Sequence, residues 1–311
     1  MPGIAVVVNP FAKGNRAKGE RIERLRKILG ADGEVIETAS LDSLPEVMRA
    51  IRSDAREIVA VCGGDGSYFH ALSALVHEYG SSPLPAFLPL RAGTMNTMIR
   101  SIGGRWRRPE RMLAHVMTDY RHGRTHEVVQ RDLLRVDGQY YGFMFGAGPI
   151  VNFLRVYYTQ TGKGPATAAR LIVLLTASVL LRTSFARGVF QALEADVDCD
   201  GERVPFRRFN IMYASTLVDI GLGFRPTYLA TRKAGYFHLL AGPISPTELV
   251  RKLWRMRRGF PTESAQLYDN LARRVMVEFP QPTQYMVDGE ILGPTRTLTV
   301  EAGPRLRLIR G

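Results

Sequence analysis

The sequence predicts an α/β N-terminal half built on a parallel sheet, followed by a mostly antiparallel β half. Up to about residue 124, short β-branched apolar runs alternate with segments that are apolar at helical spacing. From residue 125 onward, strand-like runs follow one another, and Asp137-Gly138 is a hairpin signal. A chain of 311 residues is long enough for two domains, each with its own core. We therefore predict domains at 1–124 and 125–291.

The N-terminal half is predicted to place three polar turns at one edge of its sheet. Strands are predicted at 4–8, 35–38, 58–62 and 85–90, with helices at 16–29, 43–51, 68–75 and 109–120. Polar turns follow three of these strands, at 9–15, 63–67 and 91–97. Because ligands of such sheets bind at the carboxyl ends of the strands, these turns predict a binding site.

The turn Gly63-Gly64-Asp65-Gly66-Ser67 has the features of a phosphate-binding loop. Glycines let the backbone approach an anion closely, and the start of the following helix adds partial positive charge. Asp65 would repel a bare phosphate, so we expect it to hold a magnesium ion or to accept a proton. The alternative is a tight strand–helix turn that is stabilised by the Asp65 side chain.

The C-terminal half is predicted to be a β-sandwich or folded sheet that two helices interrupt. Helix 166–181 is apolar on nearly all sides, whereas helix 247–257 sets apolar residues against basic ones. The second helix is compatible with a membrane surface, or with simple packing on a sheet. Further strands are predicted at 126–136, 140–145, 185–197, 207–214, 236–240, 274–279 and 295–300.

Composition indicates a globular protein that prefers anionic partners. The formal net charge is +13 and the pI is about 10.1, which favours nucleotides, nucleic acid or anionic membranes. Cys62 and Cys199 give neither a disulfide framework nor a metal-binding pair. Because the first residues lead directly into a strand, we expect no signal peptide and a cytoplasmic protein, with peripheral attachment at the inner membrane face as an option.

Four motifs, in this order, resemble the diacylglycerol kinase catalytic domain family, which includes bacterial lipid kinases, sphingosine kinases and ceramide kinases. They are Asn9-Pro10 with Lys13-Gly14, the Gly63–Ser67 turn, Gly93-Thr94-Met95-Asn96, and Asp288-Gly289-Glu290. The Gly63–Ser67 pattern also occurs in NAD kinases and phosphofructokinases. The resemblance rests on the ordered set with its spacing, and it extends over essentially the whole chain.

The resemblance implies a Rossmann-like nucleotide domain followed by a β-sandwich domain, with the chain end at about 292–311 returning to the first. ATP would lie between the two domains with Mg²⁺, and a lipid hydroxyl would approach from the second. Asp288 and Glu290 would act near that hydroxyl, and Asp65 would act opposite them as a catalytic or magnesium-binding residue. The residues implied to bind ATP are Asn9, Pro10, Lys13, Gly63, Gly64, Asp65, Gly66, Ser67, Gly93, Thr94 and Asn96.

The chemistry of such a kinase needs a carboxylate. An aliphatic hydroxyl is a poor nucleophile, so a carboxylate must accept its proton as the bond to the γ-phosphate forms. Asp288 is the first choice and Asp65 the second, and the sequence does not separate them. The alternative for Asp288-Gly289 is an exposed hairpin turn, where this dipeptide is common.

Three positions depart from the family pattern. Thr97 stands where the family usually has aspartate, and Arg91 where it commonly has proline. Ala234 precedes Gly235 where relatives often carry an aspartate that helps to hold a magnesium ion. Arg232 or Lys233 would replace the charge of that ion, or would simply be solvated.

We therefore expect an ATP-dependent lipid kinase that acts on a diacylglycerol-like, sphingoid or ceramide hydroxyl. The alternatives are a non-catalytic nucleotide- or lipid-binding homologue and a small-molecule kinase of the NAD kinase type. The expected partners are ATP and a lipid at the membrane surface, and we expect no nucleic acid. A homodimer is compatible with the sequence.

Overall fold

The computed structural model describes residues 3–10, 19–38, 40–104 and 108–310. It divides into two compact units, Met1–Arg131 with Arg305–Gly311, and Asp132–Pro304. We call them unit 1 and unit 2. The predicted domain ranges, 1–124 and 125–291, remain predictions about where independently folding parts begin and end.

Unit 1 contains a parallel sheet of the predicted kind. Its strands β1 and β2 pair in parallel, as do β1 with β3 and β3 with β4, which gives the order β2-β1-β3-β4. β1 and β3 begin at the predicted residues and consist of β-branched and small apolar residues that are buried throughout. The strands are β1 Ile4–Val8, β2 Gly33–Glu37, β3 Ile58–Gly63 and β4 Ala86–Arg91.

Helices connect these strands, as the alternating pattern predicts. α1 packs against α5, and α2 packs against α3. The predicted start of the first helix lies outside the described residues. A short 3-10 turn, Gly30–Asp32, follows α1. The helices are α1 Gly19–Leu29, α2 Leu44–Ser53, α3 Asp65–Tyr79, α4 Thr97–Ser101 and α5 Pro109–Arg121.

The sheet of unit 1 is buried on both faces. Alternate β1 residues, Ile4, Val6 and Val8, join one core cluster with apolar residues of α1 and α5. The intervening residues, Ala5 and Val7, are also buried. Burial on both faces is the reason why this strand reads as a continuous apolar run in the sequence.

Unit 2 is rich in antiparallel strands, as predicted. β15 is the long central strand, and it pairs antiparallel with β7, β9 and β16. β12 pairs antiparallel with β7 and β13, and β13 with β14. The strands are β5 Val128–Val136, β6 Tyr140–Gly142, β7 Met144–Ala147, β8 Leu193–Glu194, β9 Asp196–Cys199, β10 Glu202–Arg203, β11 Arg208–Phe209, β12 Ile211–Ser215, β13 Phe237–Gly242, β14 Tyr268–Ala272, β15 Arg274–Val287 and β16 Glu290–Ile309.

The described part of unit 2 holds more helices than the predicted two. α7 and α9 match predicted helices, whereas α6 follows a predicted strand, 140–145, that the structure divides into β6 and β7. The bounds are α6 Pro149–Thr159, α7 Pro165–Leu180, α8 Ser184–Val189 and α9 Pro246–Arg258.

The strand predicted at 185–197 is wrong over its first part, which forms α8. The buried side chains of α8, Ala186 and Val189, are three residues apart, which is helical spacing. Side chains from two other helices bind the backbone of α8. Ser178 accepts the Ala186 N–H, and Asn152 donates to the Val189 carbonyl. Tertiary contacts therefore override the strand-like composition of this segment.

The last strand returns to the first sheet. β16 begins in unit 2, and its end pairs in parallel with β4 through Leu308 and Phe87. Leu306, Leu308 and Ile309 are buried. Residues from both ends of the chain thus build unit 1.

Candidate functional site

The strand order of unit 1 creates a switch point between β1 and β3. The chain moves from β1 outward to β2, then returns to the other side of β1 as β3. Open α/β sheets bind ligands at such a point, at the carboxyl ends of the strands. Asn9 follows β1, Ser67 lies in the first turn of α3, and the Asn9 Nδ2 donates to the Ser67 Oγ over 3.1 Å. Two predicted ATP-binding residues therefore meet at the switch point.

The two glycine motifs of unit 1 touch through their backbones. A Cβ atom on Gly93 would lie 2.3 Å from the Gly64 Cα, and one on Gly64 would lie 3.0 Å from the Gly93 Cα. The Ala92 N–H also donates to the Gly63 carbonyl over 2.8 Å. Only glycine permits this approach, which leaves main-chain atoms at the surface where larger residues would place side chains.

Tyr68 fixes the ends of β3 and β4 beneath these loops. Its hydroxyl lies 3.1 Å from the Gly63 carbonyl and 3.0 Å from the Leu90 carbonyl. Burial, with the charge of Asp65 next, raises the Tyr68 pKa well above its usual range, while Arg91 opposes that rise. The phenol thus stays protonated as a structural donor, and Arg91 brings a positive charge near the glycine loops.

Asp65 opens α3 and connects it to α4. Its Oδ1 accepts the Met98 N–H over 3.4 Å. Burial raises the pKa of Asp65, and backbone N–H groups of α4, led by Thr97, oppose the rise. The carboxylate therefore holds the start of α4 in place, and its raised pKa suits a group that exchanges a proton.

Asn96 shapes the second glycine loop. Its backbone is left-handed, with φ of 50°, a conformation that asparagine tolerates better than most residues. The side-chain Nδ2 donates to the Gly93 carbonyl over 2.6 Å. Its Oδ1 is buried without a hydrogen-bond partner in the structure. A buried acceptor of this kind is ready for a donor that a ligand would bring.

Other predicted residues of unit 1 surround this contact. Pro10, Gly66 and Thr94 are half-buried beside the residues just described. Thr97, one of the departures from the family pattern, is buried as the first residue of α4. Lys13 lies outside the described residues.

The Asp288-Gly289 dipeptide forms a two-residue hairpin turn in unit 2. Val287 pairs with Glu290 across the turn, and both turn residues have positive φ, 48° and 93°. The sequence left open whether this stretch is a hairpin turn or a catalytic group. The structure shows the hairpin turn, but the carboxylate is anchored rather than solvated.

Backbone N–H groups hold the Asp288 carboxylate. Oδ1 accepts the N–H groups of Phe143 and Met144, each over 2.9 Å, and Oδ2 lies 3.1 Å from the Phe143 nitrogen. The Asp288 N–H in turn donates to the Met144 carbonyl. Gly142 leaves room for this contact, since a Cβ there would lie 2.7 Å from Oδ2. The turn is therefore fixed to the β6–β7 corner.

Two tyrosines lie near this turn. The Tyr158 hydroxyl donates to the Gly289 carbonyl over 2.6 Å. Burial, followed by the negative charge of Asp288, raises the pKa of Tyr213. Glu290 opens β16 and is half-buried. Asp288 and Glu290 thus lie together in unit 2, whereas Asp65 belongs to unit 1.

The segment around Ala234 shows what replaces the family aspartate. Ala234, Arg232 and Lys233 are exposed, and the Lys233 Nζ lies 3.9 Å from the centre of the Tyr236 ring. The Gly235 N–H donates to Asp132 over 2.8 Å. The nearby carboxylate is therefore a partner of the backbone, and Lys233 packs on an aromatic ring.

Sequence reasoning missed Tyr68 and Tyr213. Each is a buried aromatic residue beside a predicted site residue, and each reads as an ordinary core residue in the sequence. The only signal for Tyr68 is that it directly follows the Gly63–Ser67 turn. Arg91, a departure from the family pattern, also acts as a source of positive charge beside Tyr68.

The described side chains alone do not form a metal-binding site. No group of three or more histidine, cysteine, aspartate or glutamate residues that could hold one occurs among them. Magnesium commonly binds through one or two carboxylates together with phosphate oxygens of a nucleotide. The residues of unit 1 fit that arrangement, since Asp65 lies beside the two glycine loops.

A family comparison agrees with the motifs of unit 1. The model described as "Diacylglycerol kinase catalytic domain" matches residues 3–128. The likeness to this family therefore covers residues 3–128, which is less than half of the chain. The match covers the glycine loops, and Asp288 lies beyond it.

Solved structures extend the likeness of fold to the whole chain. A structure described as a diacylglycerol kinase from Bacillus anthracis str. Sterne has a TM-score of 0.67 at 14% identity, covering 99% of this chain and 97% of the other. Another from the same organism, described as a candidate diacylglycerol kinase, has a TM-score of 0.72 with the same identity and coverage. The two-domain fold of diacylglycerol kinases is therefore shown. No curated protein sequence matches this chain.

Proposed function

We propose that this protein is an ATP-dependent lipid kinase that transfers the γ-phosphate to a lipid hydroxyl. The observation that carries the proposal is the backbone contact between Gly64 and Gly93, which follow β3 and β4 beside the switch point. The two glycine loops that meet there fit phosphate, because their backbone N–H groups can approach an anion without side chains between them. The buried, unpartnered Oδ1 of Asn96 offers an acceptor to a nucleotide donor.

The proposed reaction forms one bond and breaks another. The acceptor hydroxyl oxygen bonds to the γ-phosphorus, the bond between that phosphorus and the bridging oxygen breaks, and ADP leaves. The hydroxyl proton passes to a carboxylate. Magnesium, when bound with the nucleotide, neutralises charge on the phosphates. We assign its protein carboxylate to Asp65, and the proton acceptor to Asp288, with Glu290 beside it.

Arg91 supports the same proposal through its charge. It ends β4, directly before the second glycine loop, and its positive charge acts on the Tyr68 phenol beneath the loops. A cation at this place would lower the energy of a bound polyphosphate.

A non-catalytic homologue is the second candidate, and two observations favour it. Two backbone N–H groups already occupy the Asp288 carboxylate, which leaves fewer lone pairs for a substrate proton. The absence of a carboxylate at Ala234 points in the same direction. Such a protein would bind nucleotide without turnover.

Phosphate transfer from labelled ATP tests the proposal. The protein is incubated with Mg²⁺ and with diacylglycerol, monoacylglycerol, sphingosine or ceramide in detergent micelles, and with NAD in solution. We expect label in one lipid, reduced about 100-fold or more in Asp288→Asn and Asp65→Asn. Asp42→Asn, an exposed carboxylate in unit 1, is the matched control and should keep full activity.

Two results would contradict the proposal. Binding of ATP with no labelled acceptor would favour the non-catalytic homologue. Label in NAD alone would show a small-molecule kinase of the other branch.

A further inference from the structure

The outer face of α7 is apolar, although it is exposed. Its exposed residues recur every three or four positions, so they form one stripe along the helix. Val173 is 67% exposed, Leu180 61% and Leu181, directly after the helix, 75%. We call this stripe the α7 outer face; its members are Ala166, Ala169, Arg170, Val173, Leu174, Ala177, Leu180 and Leu181.

The outer face of α7 differs from that of a usual surface helix, since both its buried and its exposed sides are mainly apolar. Surface helices usually turn polar residues outward, because contact between apolar side chains and water is unfavourable in free energy. On α7 the only charged member of the exposed stripe is Arg170. Large exposed apolar patches usually mark a surface that something else covers.

Every charged residue in the sequence on either side of α7, from residue 138 to residue 193, is basic. Between Asp137 and Glu194 the sequence contains no acidic residue. It contains five basic residues there, and all of them are exposed: Arg155, Lys163, Arg170, Arg182 and Arg187. The partner that covers this face should therefore carry negative charge beside an apolar interior.

α9 continues the surface with aromatic and basic residues. It contacts α7. Trp254 is 54% exposed and Phe260, just beyond the helix, is 45% exposed. The guanidinium groups of Arg255 and Arg258 lie 5.7 and 5.8 Å from the Trp254 ring. Exposed tryptophan beside arginine is typical of groups that lie at a membrane–water interface.

We propose that the α7 outer face and the exposed side of α9 rest on an anionic lipid bilayer. The leucines and Val173 would enter the edge of the acyl region, and the basic residues would meet the lipid headgroups. No helix among the described residues is long and apolar enough to cross a membrane. This inference rests on the proposed lipid substrate, which the surface would bring to the enzyme.

A second copy of this chain fits the α7 outer face less well than an anionic bilayer does, because of its charge. In a symmetric dimer each patch faces an identical patch. Because every charged residue from 138 to 193 is basic, a symmetric contact through α7 would bring like charges together. An anionic bilayer matches both the apolar stripe and its cationic border.

Vesicle sedimentation without nucleotide or substrate lipid tests the surface directly. The full chain is mixed with vesicles of phosphatidylcholine, with or without phosphatidylglycerol, at low and high salt. We expect strong binding only with phosphatidylglycerol, weakened by salt. Leu174→Ser with Leu181→Ser, or Arg251→Glu with Arg258→Glu, should each weaken binding about tenfold or more.

Matched controls separate the patch from general effects. Leu41→Ser removes an exposed leucine of unit 1, and Arg111→Glu reverses an exposed charge there. Both should bind vesicles like the unchanged protein. Kinase activity on acceptors in detergent micelles should be unaffected by the four patch substitutions.

Three outcomes would overturn the inference. Equal binding by the patch variants and the controls would place the membrane contact elsewhere. Absence of vesicle binding would remove it, whether or not the protein is a kinase. A dimer in solution that Leu174→Ser with Leu181→Ser converts to monomer would show a second copy as the occupant.

Discussion

The two units position their candidate site residues by opposite means. In unit 1 the contact between Gly64 and Gly93 depends on the absence of side chains, since a Cβ on either residue would crowd the other. In unit 2 the turn at Asp288 depends on the presence of a side chain, whose carboxylate binds the N–H groups of Phe143 and Met144.

This difference separates the chemical tasks that each unit can perform. A surface of main-chain atoms can surround an anion from several directions, which suits phosphate. A carboxylate held at a fixed place suits proton transfer, because its position does not depend on the flexibility of a long side chain. The comparison predicts that substitutions in the two units fail in different ways.

The largest effect is expected for Gly93→Ala. The new Cβ would lie 2.3 Å from the Gly64 Cα, so one loop must move. We expect ATP affinity to fall about tenfold or more and the free energy of unfolding to fall by about 1–3 kcal/mol. Titration calorimetry with ATP and thermal denaturation measure the two effects.

Gly188→Ala is the control for Gly93→Ala. A Cβ on Gly188, in α8, meets no atom within 4 Å. Alanine there should leave ATP affinity unchanged and raise stability by about 0.5–1 kcal/mol. If Gly93→Ala behaved like Gly188→Ala, the close approach of the two loops would have no role in nucleotide binding.

Substitution of Asp288 is expected to change stability to an extent that depends on the replacement. Asp288→Ala leaves two backbone N–H groups without their acceptor, which should cost about 1–3 kcal/mol of unfolding free energy. Asp288→Asn retains an oxygen for both bonds and tolerates the left-handed backbone. It should fold normally and lose kinase activity, as judged by denaturant unfolding beside the lipid assay.

Asp137→Ala controls for backbone strain. Asp137 also has a left-handed backbone, with φ of 53°, in another turn of unit 2. Alanine at 137 shares the strain of alanine at 288 without removing the Asp288 hydrogen bonds. Equal destabilisation by both alanines would mean that the Asp288 carboxylate contributes nothing to the turn. If Asp288→Asn kept full activity, Asp65 would be assigned as the base in place of Asp288.

The smallest effect is a pH dependence of stability in unit 1. Burial raises the pKa of Asp65 above its ordinary value of 3.8, so the folded state holds this proton more tightly than the unfolded state. Stability therefore falls as the pH rises from that ordinary value through the raised one. Asp65→Asn should raise the melting temperature at neutral pH, and the gain should vanish in acid.

Glu110 gives the opposite sign in the same unit. Burial acts to raise its pKa, but the hydrogen bond from Arg21 over 2.8 Å, the Glu110 backbone N–H and the charges of Arg21 and Arg24 together outweigh burial and lower it. Its contribution is present above the ordinary value of 4.5 and is lost as the pH falls through the lowered one. Glu110→Gln should therefore melt at a lower temperature at neutral pH, with no difference in acid. The same pH profile for both variants would contradict the assignment of Asp65.

The local sequence pattern was sufficient to predict the elements whose structure depends on residues that are close in the sequence. β1 and β3 were predicted because a doubly covered strand must be apolar at every position. The meeting of the first three motifs followed from one rule, that parallel strands end at the same edge. The family resemblance supplied the catalytic role that we propose for Asp288, which the dipeptide alone did not indicate.

Contacts between residues that are far apart in the sequence determine the features that the local pattern did not predict. The donors that anchor Asp288 come from Phe143 and Met144, which no spacing in the sequence connects to it. Helix α8 forms because α6 and α7 bind its backbone, against the strand-like composition of its residues. The exposed stripe of α7 was predicted as apolar on nearly all sides, but only the structure shows which of those sides no other part of the described chain covers.

The path of β16 has a consequence for biosynthesis. The segment that lies beside β4 is translated after the whole of unit 2, Asp132–Pro304. While the ribosome adds unit 2, β4 therefore keeps an open edge, and open edges favour pairing with other chains. A polypeptide that stalls within unit 2 would carry both glycine loops of unit 1 and still lack its last strand.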